Sequence, residues 1–175
     1  GTYVRGYRYG NGHINDTYCI ETSGQDISKY ILQRLNGNVF KKPEKLMENV
    51  LRVTSHIREK LAIKGRDSER YGLTLIPLKT GEHWLVDGDG SVWRLYIFIR
   101  DTIAFDIVDS PSVAREGGLA FGEFQNLLSD LPGDPLFETI PDFHDMEKRL
   151  YTFQTTVDVD TDSRVGAAAA EIDFV

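Results

Sequence analysis

The sequence predicts an α+β fold: an antiparallel sheet crossed by one helix, then an all-helical part. Three observations carry this. Short runs of alternating apolar and polar residues recur between Tyr3 and Ile99, separated by turns rich in Gly, Asn and Asp. One stretch at helical spacing interrupts them after the third run: Met47, Val50, Leu51, Thr54, Ile57 and Leu61. After Ser110 the apolar spacing is helical almost throughout.

Taken in order, Tyr3 to Tyr9 reads as a first strand. The glycine turn Gly10-Asn11-Gly12 follows, and Thr17 to Thr22 is the second strand. Ser23-Gly24-Gln25-Asp26 is a turn cluster before a third strand, Lys29 to Leu35. Pro43 opens the helix at a first-turn position, Glu44 suits the positive end of its dipole, and Gly65 ends it. Residues 65–72 read as a polar loop. Three further strands are expected at Leu73 to Leu78, His83 to Val86 and Ser91 to Ile99, joined by turns at Lys79 to Glu82 and Asp87 to Gly90. The Asp87 turn lacks the later ligands of a calcium loop. Residues 100–109 have no clear period. Ser110-Pro111 caps and starts a helix that runs to Leu131, before Pro132-Gly133. A loop from Thr139 to His144 precedes two more helical segments, Met146 to Val157 and Arg164 to Phe174. The boundaries are 1–100 for the sheet-bearing part, 101–109 for a linker and 110–175 for the helical part.

The chain has 175 residues, 41% hydrophobic and 27% charged, enough for one large or two small domains. A net charge of −7 argues against general nucleic-acid binding, which needs a basic surface. No apolar run reaches the length of a membrane span, and the start carries no signal-peptide pattern. Cys19 is alone, so an internal disulfide is impossible and a cytoplasmic setting is the default. A lone strand cysteine is ordinarily a small core residue. The first residue is Gly1, which suggests a trimmed chain.

The stretch Tyr9-Gly10-Asn11-Gly12-His13-Ile14-Asn15-Asp16-Thr17-Tyr18 is the focus of the sheet-bearing part. It fits only the first half of G-x-G-x-x-G, since Asn15 stands where the third Gly belongs, and it leads into a strand. Strand, glycine loop and strand form the cover that kinase-like folds place over nucleotide phosphates. The plain alternative is an Asn-Gly hairpin.

Further stretches sharpen the match: Tyr30-Ile31-Leu32-Gln33-Arg34-Leu35-Asn36, Val39-Phe40 with Pro43-Glu44 and Met47-Glu48-Asn49, Ala120-Phe121-Gly122-Glu123-Phe124-Gln125, and Thr139-Ile140-Pro141-Asp142-Phe143-His144. With the glycine loop, these resemble the aminoglycoside phosphotransferase branch of the protein-kinase-like superfamily, and within it the N-acetylhexosamine 1-kinase group. The resemblance spans essentially the whole chain. It implies a kinase-like small lobe followed by the first helices of a truncated helical lobe. The implied reaction moves the γ-phosphoryl group of ATP, with Mg2+, to the anomeric hydroxyl of a sugar such as GlcNAc or GalNAc.

The resemblance also implies site residues. Gly10, Asn11 and Gly12 would cover the phosphates with backbone N–H groups, and His13 would reach the sugar. The third strand normally supplies a Lys; here Gln33 or Arg34 stands there, and Glu48 of the crossing helix is the acid partner. A helix-surface pair of Glu48 with Arg52 is the plain alternative. Phe98, Ile99 and Arg100 would form the hinge that meets the adenine edge, although Arg100 to Thr102 departs from the usual Gly. Asp142 and His144 would face the sugar.

A catalytic Asp with an Asn five residues later is missing. His144-Asp145 is the one tempting pair, and Leu150 stands at the Asn position. Asp158, Asp160 and Asp162 alternate like a calcium loop, but Ser163 and Ala169 replace the Gly and Glu it needs. The expectation is an inactive amino-terminal part of a longer kinase, with no metal site of its own. The competing readings are a non-catalytic kinase-like module that binds nucleotide or sugar, and a mucin desulfatase. The last is disfavoured because Cys19 is followed by Ile20-Glu21-Thr22, not by the sulfatase C/S-x-P-x-R pattern. The apolar residues after Ser110, among them Phe121, Phe124, Phe137, Phe143, Leu150 and Phe174, lead to an expectation of self-association.

Overall fold

A computed structural model describes residues 1–24 and 28–175. The expected turn residues Gln25 and Asp26 lie outside the described residues. The chain divides into two compact units, Gly1–Thr139 and Ile140–Val175.

The first unit is built on a five-stranded antiparallel sheet: β1 (Thr2–Arg8), β2 (Asp16–Ser23), β3 (Ser28–Arg34), β4 (Leu85–Val86) and β5 (Val92–Ile97), in the order β1-β2-β3-β5-β4. β1 pairs with β2 through Tyr7↔Cys19 and slips register between Tyr3 and Arg5. β3 pairs with β2 through Cys19↔Ile31 and with β5 through Ile31↔Tyr96 and Gln33↔Arg94. Because side chains alternate along a strand, Thr17, Cys19, Ile31, Gln33, Arg94 and Tyr96 share one face. Arg34, Leu32 and Trp93 take the other.

Helix α1 (Pro43–Ile63) crosses between β3 and the later strands. Its Met47 is fully buried against Leu35 and Leu75, with Val92 and Tyr96 packed around them. Burying an apolar stripe of this size contributes about 1.5–3 kcal/mol per large side chain. Gly65, at φ 68°, ends the helix, with the Arg66 N–H donating to the Leu61 carbonyl across the turn. The far end of α1 makes a second cluster, Ile57 and Leu61 with Leu127 of α3 (Pro111–Leu128). Ser110 caps α3 by accepting from the Val113 N–H, as its sequence predicts.

Four expectations are corrected. Leu73 to Leu78 is not a strand: Leu75 bridges Tyr96, Ile76 and Thr74 exchange backbone bonds with Leu95 and Ile97, and the ladder stops there. Pro77 has no N–H to extend it. The polar loop 65–72 holds a one-turn helix, α2 (Ser68–Tyr71), because Asp67 accepts from the N–H groups of Glu69 and Arg70. The strand expected at His83 to Val86 shortens to β4, and α3 ends at Leu128 rather than Leu131.

The second unit contains α4 (Met146–Val159), a 3-10 turn (Val165–Ala168) and α5 (Ala169–Phe174). Asp145 caps α4 through the Lys148 N–H. Asp160, left-handed at φ 42°, closes it and accepts from the N–H groups of Arg164 and Val165. Of the alternating aspartates, Asp160 is thus the capping group, and Asp162 pairs with Arg164 at 2.6 Å.

Candidate functional site

The glycine loop leaves β1 at Tyr9, whose N–H donates to the Thr17 carbonyl at 2.9 Å and closes the loop base. Gly10 sits at φ 78°, and a side chain at either Gly10 or Gly12 would meet no atom within 4 Å. The constraint at Gly10 is therefore backbone conformation, not crowding. Asn15, at the position of the absent third Gly, accepts from the backbone N–H of Asn36 at 2.9 Å. That bond ties the loop to the end of β3. Asn11 donates to Asp106 at 3.4 Å, joining the loop tip to the connector after β5.

Beneath the loop lies a cavity of about 290 Å³, lined by Tyr9, Gly10, Gly12, Thr17, Ile31 and the run from Tyr96 to Ile99, with Thr102. It brings Gly10, Gly12, Phe98 and Ile99 together. Ile31 and Tyr96 form its apolar walls. Tyr9 and Phe98 meet edge to face, with ring centres 5.4 Å apart. The connector beyond Ile99 is held from outside: Arg70 of α2 donates to the Arg100 carbonyl and, at 3.1 Å, to that of Asp101. Arg100 lines a separate cavity with Lys29, Tyr30 and Arg70.

Gln33 and Arg34 part company. Gln33 shares the Ile31 face, donates to the Thr17 hydroxyl at 3.0 Å, and accepts from Arg94 Nε at 3.0 Å and Nη2 at 2.6 Å. Arg34 takes the opposite face, on Asp16 and over the Trp93 ring. Asp16 also takes Arg8, and Arg34 chiefly, then Arg8, hold its carboxyl below the usual range. Glu48 stays at the helix surface, paired with Lys45 at 2.8 Å and with neither Gln33 nor Arg34. Arg52, its expected neighbour, instead donates to the carbonyls of Pro132 and Asp134.

Arg94 escaped the sequence reading. Burial pushes its guanidinium pKa down, and the Tyr96 ring lies 6.0 Å from its centre. The alternation of β5 was the one available signal, since it sets Arg94 on the face of Tyr96.

His13 lies apart from the first cavity. It lines a more polar one of about 580 Å³ with Asp16, Arg34, Asn36 and Lys41. Asp142 and His144 belong to the second unit. There Asp142, at φ 59°, pairs with Lys148 at 2.6 Å, and His144 stacks edge to face on Phe143 at 4.9 Å. Among the described residues no group of three or more His, Cys, Asp or Glu side chains gathers to hold a metal ion. No described helix is long and apolar enough to cross a membrane. No family model matches the sequence.

Proposed function

We propose that the chain carries the nucleotide-holding small lobe of a kinase-like phosphotransferase. The proposed acceptor is the anomeric hydroxyl of an N-acetylhexosamine, and ATP is the phosphoryl donor. The observation that supports this is the cavity under the glycine loop. Its Ile31 and Tyr96 walls suit a flat adenine ring, and the Tyr96 to Ile99 run with Gly10 and Gly12 completes the lining. Apolar walls with a few placed polar groups are the usual make-up of a small-molecule site. The sugar class rests on the resemblance of the glycine loop, the Gln33-Arg34 strand and the Asp142-Phe143-His144 loop to N-acetylhexosamine 1-kinases. The Mg2+ such an enzyme uses is assigned no residue of this chain.

A non-catalytic binding module is the second reading, and Asp145 favours it. The one Asp that follows a His in the loop is occupied as the cap of α4. Amide chemical shifts test the first reading, because they register weak ligands. Adenosine and ADP are expected to move Gly10, Gly12, Thr17, Ile31, Phe98 and Ile99, with affinity weak. No movement at these amides overturns it. Sugar-dependent ADP formation by the product of the whole reading frame then separates enzyme from module.

A further inference from the structure

The nucleotide reading leaves open which cation meets the phosphates. Arg34 is the obvious sequence choice, but its guanidinium is spent on Asp16, on the face of β3 away from Ile31. Arg94 is in the opposite condition. It lies on the Ile31 face, beside Gln33 in register, and its partner is the neutral amide of Gln33. Among the described residues its Nη1 meets only the Met47 sulfur at 4.0 Å, a weak acceptor. Among the described residues no carboxylate pairs with it. A guanidinium partly removed from water without a counter-charge is costly to hold, and an incoming anion relieves part of that cost. Burial acts on it in the same sense, lowering its pKa.

Gln33 and Arg94 do not line the cavity themselves; two of its wall residues touch them. Thr17 is a wall residue, its hydroxyl accepts from Gln33, and Gln33 grips Arg94 with its other amide atom. Tyr96, another wall residue, lies beside the guanidinium.

We propose that Arg94 is the phosphate anchor of this cavity, taking the anionic tail of a nucleoside di- or triphosphate while Gln33 holds it in place. The proposal rests on the nucleotide reading above. It makes Gln33 the neutral arm that leaves the Arg94 charge available, where an acid would cancel it.

Gln33→Glu tests this without opening a hole in the sheet. It sets a carboxylate where the amide oxygen now receives Arg94. Affinities for ADP and adenosine are measured by calorimetry or amide shifts, beside the melting temperature. The expected result is a fall of about tenfold in ADP affinity, the scale of one charge-assisted bond. Adenosine affinity stays as it was, and the melting temperature rises. Arg94→Lys, which keeps a charge but loses the fork, is expected to lower the ADP preference and leave adenosine unchanged. A purely structural Arg94 would move the melting temperature and not the ADP-to-adenosine ratio. An unchanged ratio in Gln33→Glu overturns the anchor, as does loss of ADP binding in Arg34→Ala with Arg94→Lys like the wild type. A wild-type chain that binds adenosine as well as ADP overturns the anchor and spares the nucleotide reading. One that binds neither overturns both.

Discussion

The side-chain carbonyl of Asn15 accepts the backbone N–H of Asn36 at 2.9 Å, across 21 residues of chain. The residue that departs from the glycine pattern is thus the one that fastens the loop to the sheet. Asn15→Ala strands the half-buried Asn36 N–H, at a cost of about 1–3 kcal/mol. Asn15→Gly, which completes the glycine pattern, is expected to cost at least as much. Urea unfolding of the two variants measures it, and wild-type midpoints for both mean the bond contributes nothing.

Glu21 sets a pH dependence. The hydrogen bond from Arg5, then that from Lys29, lowers its carboxyl from an ordinary 4.5 to about 2. A group whose folded pKa is depressed stabilises the fold above its unfolded pKa and loses that contribution as pH falls through the folded one. The window here is therefore pH 4.5 down to about 2. Glu21→Gln is expected to melt below the wild type at neutral pH and to converge with it near pH 2. A gap that persists at that pH assigns the loss to something other than ionisation.

Thr74 offers a gain. It is 9% exposed, and its hydroxyl finds no hydrogen-bond partner among the described residues. Its backbone carbonyl still receives the Ile97 N–H, so the position itself is sound. Thr74→Val removes the unpaired hydroxyl at nearly constant shape and is expected to stabilise by about 1 kcal/mol. A loss in thermal or urea midpoint would mean that the hydroxyl is satisfied in solution.

The two ends of α1 report on different clusters. Met47→Ala, at the fully buried position under the sheet, is expected to cost about 2–5 kcal/mol. Leu127→Ala is expected to cost a similar amount, and hydrogen exchange should quicken first in α3, which it pins to Ile57 and Leu61. Uniform acceleration through the sheet would show that the clusters unfold as one.

Self-association is the last expectation. Phe121 is 72% exposed on α3, and Leu150 and Tyr151 stand out on α4. Exposed apolar groups of this kind promote association. Sedimentation is expected to show mass rising with concentration, and Phe121→Asp to reduce it. A strict monomer at all concentrations removes the idea.

What the sequence made legible is what local chemistry decides. β1 to β3 follow from alternation and turn residues, α1 from one apolar stripe opened by Pro43, and α3 from Ser110-Pro111. What escaped depends on partners far along the chain. The Gln33–Arg94 grip joins residues 61 apart, and only the β3–β5 register reveals it. Arg52 was expected beside Glu48, but carbonyls 80 and 82 residues away hold it. Alternation alone says that Gln33 and Arg34 face opposite ways. It does not say which face α1 covers. α2 was missed because its one turn rests on a single aspartate cap, a signal too short to rise above loop chemistry.

The register slip in β1 has a bearing on whether copies of the molecule can join strand to strand. β1 is one outer strand of the sheet, exposed along its whole length, and it carries Tyr3, Val4 and Tyr7. A flat strand of that composition is a template for fibril growth. The slip between Tyr3 and Arg5 throws the outward N–H and carbonyl groups out of phase halfway along, so an approaching strand finds its rungs interrupted. Arg5 and Arg8, each held on a carboxylate of β2, line the same strand with ion pairs that an approaching copy would have to desolvate. An edge interrupted in register and lined with ion pairs in this way lets the sheet stay open without seeding cross-β assembly.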